Sequence, residues 1–299
     1  MKGIPYIHKE VKVYDARTFA AESFKKFYEG TFTTKIPIIY EIIYLTEFPK
    51  RIELKNNLER NPYHLLFYMI APFYFMDDGE TPVKYFYGKE NTHSLVNEAL
   101  QNLPERFQRE YVKEVRIEYI GLPGCKWNID WIDESWIYSY IRNLYKHIWE
   151  NTPQQKGKGI YISRSKCRVN QRAILNEEDL KPMLKGLGID FYVLEEISFI
   201  DTVLLFKSAE FVTGAHGAGL AWLVFSDPGT KLLEIYKKKL LKEHYTYLCH
   251  ACSIHSFRFT GVYDDPAVLP PSDPREADNG HMIVHIDSYK MAICELYKK

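Results

Sequence analysis

The sequence predicts an α/β protein of two doubly wound lobes facing across a cleft, on three observations. The chain has 299 residues, roughly twice the common domain size of ~100–150. A polar stretch rich in breakers, Thr152-Pro153-Gln154-Gln155-Lys156-Gly157-Lys158-Gly159, divides it near the middle. Beyond that stretch, short apolar runs alternate with helix-like segments and glycine turns, the pattern of a parallel sheet with crossover helices. The expected division is a first lobe over 1–151 and a second over 152–299, the latter with a C-terminal helix able to cross back to the first.

In the second lobe the strands read as Ile160–Ser163, Asp190–Glu195, Glu210–Thr213, Lys231–Tyr236 and Ser256–Gly261. Between the first two lies a short helix, and Pro182 forbids it an unbroken run from Asn176, setting its start or a kink nearby. Ser198-Phe199-Ile200-Asp201 looks like a capping box opening the helix Thr202–Ala209. Helices Leu220–Phe225 and Leu241–Ala251 follow. The first lobe is less regular. Ile36–Leu45 is a β-branched, aromatic run, Val83–Tyr87 and Val115–Ile120 are strand-like, and helices are expected at Thr92–Leu103 and Asp133–Trp149. Residues 264–280, rich in proline and acids, read as a surface loop.

Composition narrows the function classes. Lys and Arg (39) balance Asp and Glu (39), for zero net charge. That balance argues against nucleic acid or an anionic membrane surface as the main partner, because both recruit a basic excess; a local basic pocket stays open. No apolar run approaches the ~18–20 residues of a membrane span. The opening Met1-Lys2-Gly3-Ile4-Pro5-Tyr6 lacks the apolar stretch of a secretory leader. The five cysteines (Cys125, Cys167, Cys249, Cys252 and Cys294) do not make a disulfide scaffold in a chain this long, so a reducing, cytoplasmic setting is expected. The 15% aromatic content offers either sugar-stacking faces or rings for the core.

The most informative segment is Phe211-Val212-Thr213-Gly214-Ala215-His216-Gly217-Ala218-Gly219-Leu220: an apolar strand, a small-residue turn, then an apolar helix. Such a turn exposes backbone amides and the positive end of a helix dipole, and the missing side chains admit an anion closely. Phosphate or pyrophosphate suits it; the alternative is a tight turn that uses glycine for positive φ. The order G-x-x-G-x-G differs from the dinucleotide fingerprint. His216, inside the turn, either donates to a phosphate or sugar oxygen or ties the loop down. A second segment, Tyr161-Ile162-Ser163-Arg164-Ser165-Lys166-Cys167-Arg168-Val169-Asn170-Gln171-Arg172, leaves a strand and delivers a run of cations. Arginine forks match phosphate oxygens; a solvated basic turn is the other reading. The third is Asn61-Pro62-Tyr63-His64-Leu65-Leu66-Phe67, with Asn61 as N-cap and Pro62 at the first helical position. His64 then sits in the first turn, where the dipole favours the neutral imidazole a general base needs; packing beside Tyr63 and Phe67 is its alternative. Metal sites are not expected. Asp77-Asp78-Gly79 and Asp264-Asp265-Pro266 read as turns, and Cys249-His250-Ala251-Cys252 lacks a second cysteine pair.

Taken together, Ile160–Tyr236 resembles glycosyltransferase family 61, the group that includes plant xylan arabinosyl- and xylosyltransferases and animal O-linked N-acetylglucosaminyltransferases. The matching pieces are Ile162-Ser163-Arg164, Arg172 through Asn176-Glu177, Glu195 with Ser198-Phe199, Ala209, the Gly214–Leu220 turn, Phe225, Pro228-Gly229 and Glu234. Asn61–Phe67 is similar to the family's N-terminal motif. The chain departs from the family at Leu220-Ala221-Trp222, where Leu-Thr-Asn is common, which bears on sugar or acceptor contacts. The resemblance implies a GT-B fold of two Rossmann-like lobes, an inverting enzyme, a UDP-linked sugar donor and no metal cofactor.

On that basis the expected reaction is one in-line displacement at the anomeric carbon, with a glycan or other hydroxyl-bearing acceptor. His64 is the expected base, with Asp77 or Asp78 in reserve. The expected diphosphate site holds Ser163, Arg164, Arg168, Arg172, His216, Gly217, Ala218 and Gly219. Glu234 is expected at the ribose hydroxyls and Glu195 near the nucleobase. A UDP-sugar epimerase and a non-catalytic nucleotide- or sugar-binding module are the competing readings.

Overall fold

The computed structural model describes residues 5–7, 42–44, 51–53, 61–71, 73, 77, 79–80, 82–86, 94–110, 135–152, 157–166, 172–237, 244–264 and 280–297. The chain divides into two units, Met1–Tyr145 and Lys146–Lys299.

In the first unit, β1 (Pro5–Ile7) pairs antiparallel with β2 (Ile42–Tyr44). A parallel sheet of order β3-β4-β5 is built from Arg51–Glu53, Val83–Phe86 and Phe107–Glu110. β3 and β5 were not expected: each is short and at least half charged, and pairing to β4 makes them strands, not an apolar pattern of their own. The expected strand Val115–Ile120 lies outside the described residues. Helix α1 (Pro62–His64) runs on as a π-helical segment, Leu65–Ile70. Helices α2 (Ser94–Gln101) and α3 (Ser135–Leu144) complete the described elements. Phe73 anchors the core, with Tyr85 and Phe107 edge-on at 5.4 and 5.1 Å. Leu65, Leu66, Ile70, Val96, Ala99 and Ile141 are buried too.

The second unit carries a five-stranded, wholly parallel sheet: β6 (Lys158–Ile162), β7 (Ile189–Tyr192), β8 (Ala209–Ala215), β9 (Lys231–Ile235) and β10 (His255–Phe259). Their spatial order is β10-β9-β8-β6-β7, so the winding direction reverses between β6 and β8. Helices α4 (His147–Glu150), α5 (Glu177–Gly186), α6 (Phe199–Ser208), α7 (His244–Ala251) and α8 (Ile286–Tyr297) surround it, with a 3-10 helix at Ala218–Phe225. An antiparallel pair, β11 (Val262–Asp264) and β12 (Met282–Val284), precedes α8.

Strand periodicity supplies two buried faces. Tyr161, Phe211, Leu233 and Ile235 pack with Leu180 and Leu184 of α5 and with Tyr289 and Ile293 of α8. Residues of the other parity, Ile160, Val212 and Leu232, are equally buried. Elsewhere in this unit Trp222 of the 3-10 helix meets Phe199 of α6 edge-on at 5.4 Å. Trp149 of α4 packs edge-on against Phe225 at 6.1 Å, with Lys207 Nζ 5.1 Å above its ring. α8 lies on this unit's own sheet: the Tyr289 hydroxyl meets Thr213 Oγ1 at 2.5 Å, and Tyr297 stacks on Phe211 at 4.9 Å.

Two local expectations meet different outcomes. The Ser198 hydroxyl accepts from Asp201 N at 3.0 Å and donates to its carboxylate at 2.6 Å, capping α6 as the sequence predicts. Pro182, by contrast, sits inside α5, which runs unbroken from Glu177. The ring removes only the hydrogen bond to the Glu178 carbonyl, in the first turn on the solvated side, where water can replace it.

β6 and β8 approach closely at the register pair Ile162 and Gly214. A Cβ on Gly214 would lie 2.6 Å from the Ile162 carbonyl oxygen. We therefore expect Gly214→Ala to lower unfolding free energy by ~1–3 kcal/mol through strand displacement, read as a lower urea midpoint at unchanged m-value.

Candidate functional site

In open parallel sheets, ligands bind beyond the carboxyl ends of the strands where the strand order reverses. Here that place lies between the ends of β6 and β8. β6 runs into Ser163 and Arg164, and β8 runs into His216 and Gly217. Ser163 is buried and tied on several sides: its hydroxyl donates to Glu177 Oε2 at 2.7 Å, Ser165 N donates to that hydroxyl at 3.0 Å, and Ser163 N donates to Tyr192 O at 2.8 Å. Tyr161 donates to the other Glu177 oxygen at 2.8 Å. These bonds fix the backbone that launches Arg164.

Gly217 has φ 173°, extended backbone open to any residue, so the positive-φ reading does not hold there. What glycine provides is room. A Cβ at 217 would fall 1.6 Å from Arg164 Nη1 and 2.6 Å from its Cζ. The guanidinium therefore lies directly against the turn backbone. The Gly217 carbonyl is clamped by the Tyr245 hydroxyl at 2.6 Å and by Leu220 N at 2.9 Å. Ala218 and Gly219 open the 3-10 helix, whose first amides have no partner within it. A Cβ on Gly219 would meet Leu194 Cδ1 at 3.2 Å and Ile162 Cγ2 at 3.3 Å.

His216 is 3% exposed, and its Nδ1 lies 2.5 Å from Glu234 Oε1. Its ring contacts Tyr236 edge-on at 5.6 Å and Tyr245 at 5.1 Å. Glu234 sits within β9 and is 1% exposed. Its cross-strand neighbour on β10 is Arg258, whose Nε lies 3.5 Å from Oε2 and whose guanidinium stacks 4.3 Å above Tyr236. Burial, and secondarily Glu234, push the Tyr245 hydroxyl well above its usual value, while Arg164 and Arg172 act in the opposite sense. Both arginines therefore lie within electrostatic reach of the turn. Arg172 adopts a left-handed φ of 62°. Glu195 is exposed on the short turn Leu194–Glu196 after β7, beside the Lys166–Glu196 ion pair. Arg168 lies outside the described residues.

In the first unit, Asn61 Oδ1 accepts from Tyr63 N at 3.0 Å and His64 N at 3.4 Å, with Pro62 opening the helix, as the sequence predicts. Burial holds the His64 imidazole below its ordinary value of 6.5, favouring the neutral ring. Asp77 is 4% exposed. Arg106 grips both its oxygens at 2.8 Å, Tyr140 donates at 2.9 Å and Gly79 N at 2.9 Å. Burial alone would raise this carboxyl, but the donors outweigh it and the net shift is downward. A carboxylate so engaged is a poor proton acceptor. Asp78 lies outside the described residues.

Sequence reasoning gave Glu177 no role beyond its place in the family resemblance, and it missed Tyr245 and Arg258. One signal was present for the last: a glutamate inside the apolar strand Leu232-Leu233-Glu234-Ile235 requires a buried partner. Nothing local marks Tyr245, whose role depends on where α7 docks. Cys249 and Cys252 are buried free thiols, and among the described residues no cluster of three or more His, Cys, Asp or Glu is placed to hold a metal. Nor is any described helix long and apolar enough to cross a membrane.

Comparison with known proteins places these residues in context. The sequence model of the family described as Glycosyltransferase 61 matches residues 63–233, more than half of the chain. A beta-1,2-xylosyltransferase, RCN11, of Oryza sativa subsp. japonica is 30% identical over 100 residues, which are 33% of this chain and 15% of that protein. The chain thus spans about a seventh of that relative's length. Among solved structures, the dodecameric iron-containing heptosyltransferase TibC in complex with ADP-D-beta-D-heptose aligns over 80% of this chain and 68% of its own, at 12% identity and a TM-score of 0.38.

The geometry at Asp77 generates a pH prediction. Because its folded-state value is depressed, its contribution is present above the ordinary 3.8 and is lost as pH falls through the folded value. We expect Asp77→Asn to cost ~2–4 kcal/mol at pH 7 and to flatten the loss of stability below pH ~4, measured by urea unfolding across pH.

Proposed function

The chain belongs to glycosyltransferase family 61, and from that premise we propose that it moves a sugar from a nucleoside-diphosphate donor, UDP-linked, to a hydroxyl of a glycan, with inversion and without a metal. The observation that carries this reading is the Arg164 guanidinium seated on Gly217 at the reversal of strand order. A diphosphate there meets Arg164 and Arg172 as forked donors and the first amides of the 3-10 helix at Ala218 and Gly219. Both features stabilise charge that grows on the departing nucleotide, which is where preorganised donors accelerate reaction most.

The proposed step is a single displacement. The acceptor oxygen attacks the anomeric carbon as its bond to the β-phosphate oxygen breaks. The electron pair leaves with UDP, and the acceptor proton passes to a base. His64 is the proposed base, since its neutral ring accepts a proton at pH 7. Asp77 is the weaker choice because Arg106 and Tyr140 already occupy its lone pairs. Glu195, exposed after β7, is proposed near the nucleobase.

The test is a screen of nucleotide sugars for released UDP, with and without glycan acceptors. Acceptor-dependent release supports the transferase. Donor turnover without acceptor makes the protein an epimerase, and binding without turnover makes it a module. Arg164→Ala is expected to lower kcat by ~10²–10³ and weaken UDP binding; normal activity and affinity in both Arg164→Ala and Arg172→Ala overturn the assignment. His64→Ala should lower kcat by ~10²–10⁴ at unchanged UDP affinity. In the wild type the acid limb of kcat should fall below pH 6.5, because burial depresses the imidazole, and the variant should lack that limb.

A further inference from the structure

We propose that Glu234 is a positioning residue that acts through His216, fixing the proton on Nδ1 and the orientation of the imidazole beside the Gly217 turn, and does not itself touch the nucleoside. The inference rests on the diphosphate reading of this turn and assigns how one side of it is held.

The geometry is specific. Glu234 is 1% exposed, and its Oε1 lies 2.5 Å from His216 Nδ1. An ionised carboxylate only accepts hydrogen bonds, so at that separation the hydrogen sits on Nδ1. With Nδ1 committed to Glu234, a change of protonation falls on the ring's second nitrogen, Nε2. Neutral, it accepts; with a second proton, it donates to an anion. The carboxylate is itself held on its far side by Arg258, its register partner on β10, at 3.5 Å. Arg258 is fixed in turn by stacking on Tyr236 and by donating to Thr246 Oγ1 at 2.8 Å. The result is an ordered series, Thr246 to Arg258 to Glu234 to His216, running from the sheet edge to the turn. Among the described residues, the charged and titratable groups near the imidazole include Glu234 and Tyr236 at β9, Arg258 on β10 and Tyr245 on α7, with Arg164 and Arg172 within electrostatic reach of Tyr245 and Cys249 within reach of Glu234.

A carboxylate that is buried and engaged on two sides is poorly placed to reach a ribose. A carboxylate that sets the tautomer of a neighbouring histidine is a recurring way of orienting a ring toward a charged ligand. It also explains why an acidic residue is kept inside an apolar strand, where an unpaired charge would be costly.

The test uses the full chain, with UDP as the probe. Long-range proton–nitrogen NMR on histidine-labelled protein reads the His216 tautomer, and titration calorimetry reads UDP affinity for wild type, Glu234→Gln, His216→Ala and the double variant. Glutamine keeps the size but presents an amide that both donates and accepts, so it no longer selects one tautomer. We expect Nδ1–H in the wild type, a mixed or reversed signal in Glu234→Gln, and UDP binding weakened by ~10-fold or more. In the His216→Ala background the same substitution should change affinity by less than about twofold, because both act through one ring. Three results overturn the inference: a wild-type ring protonated on Nε2 alone, unchanged affinity in Glu234→Gln, or an equal loss with and without His216, which would mean direct contact with the nucleotide. If Glu234→Gln fails to fold, the wild-type NMR signal alone still decides the tautomer. Absence of wild-type UDP binding overturns the diphosphate reading and the inference with it, and is told apart because it appears before any substitution.

Discussion

The second unit is organised by one close approach: a guanidinium resting on a backbone that has no side chain to keep it away. Arg164 reaches Gly217 because β6 and β8 are neighbours in space although β7 intervenes in sequence. That adjacency requires Gly214, whose missing Cβ lets β8 close on the Ile162 carbonyl. The orientation requires Ser163 and Tyr161, both donating to Glu177. The turn itself is immobilised by Tyr245 on the Gly217 carbonyl. Each is a hydrogen-bonded or packed constraint on a strand end, and together they hold a cation and a set of amides at one place.

Preorganisation of this kind matters because an anion binding to a flexible basic loop would first have to order it. At this turn the ordering is done by the fold. Buried polar groups, which are destabilising when unpaired, are engaged with one another around it: Ser163 is hydrogen-bonded to Glu177, His216 to Glu234, and Glu234 forms an ion pair with Arg258. Their concentration at the carboxyl ends of the strands contrasts with the apolar filling of the sheet's two faces. Asp77 in the first unit shows the other use of such a network. Three donors around one carboxylate leave it little capacity for proton transfer and make it a stabilising strut.

Legibility of the sequence followed the range of the forces involved. The inner strands β6, β8 and β9 were readable because both their faces are buried, which makes each a largely apolar run, whereas the edge strands β7 and β10 are partly exposed and were legible through their place in the strand–helix alternation. The caps at Asn61 and Ser198 were readable because a cap is decided by residues within one turn. β3 and β5 were not, since their charged residues carry no strand signal and their pairing to β4 is tertiary. Helix α5 passes through Pro182 against expectation because the lost bond falls on a solvated first turn, a fact of exposure and not of pattern. The same division runs through the site. The glycine turn and Arg164 announced themselves, and the reason for Gly217 did not: spacing allowed either positive φ or an open approach, and only the fold shows an arginine in the space. Glu234 was singled out, but its neighbours His216 and Arg258 come from separate elements and no local pattern unites them.

The helix α8 has a consequence for how this unit is made. Tyr297 lies over Gly159, where a Cβ would approach its ring to 2.9 Å, and donates to Gly157 O at 3.2 Å across 140 residues of sequence. Lys231 reaches the Leu296 carbonyl at 2.7 Å. One face of the earliest strand in the sheet is thus covered by a segment synthesised well over a hundred residues later. On the ribosome, Phe211 of β8 and the Gly159 end of β6 stay without their Tyr297 cover until residues 286–297 emerge, so closure of this face is a late, long-range event.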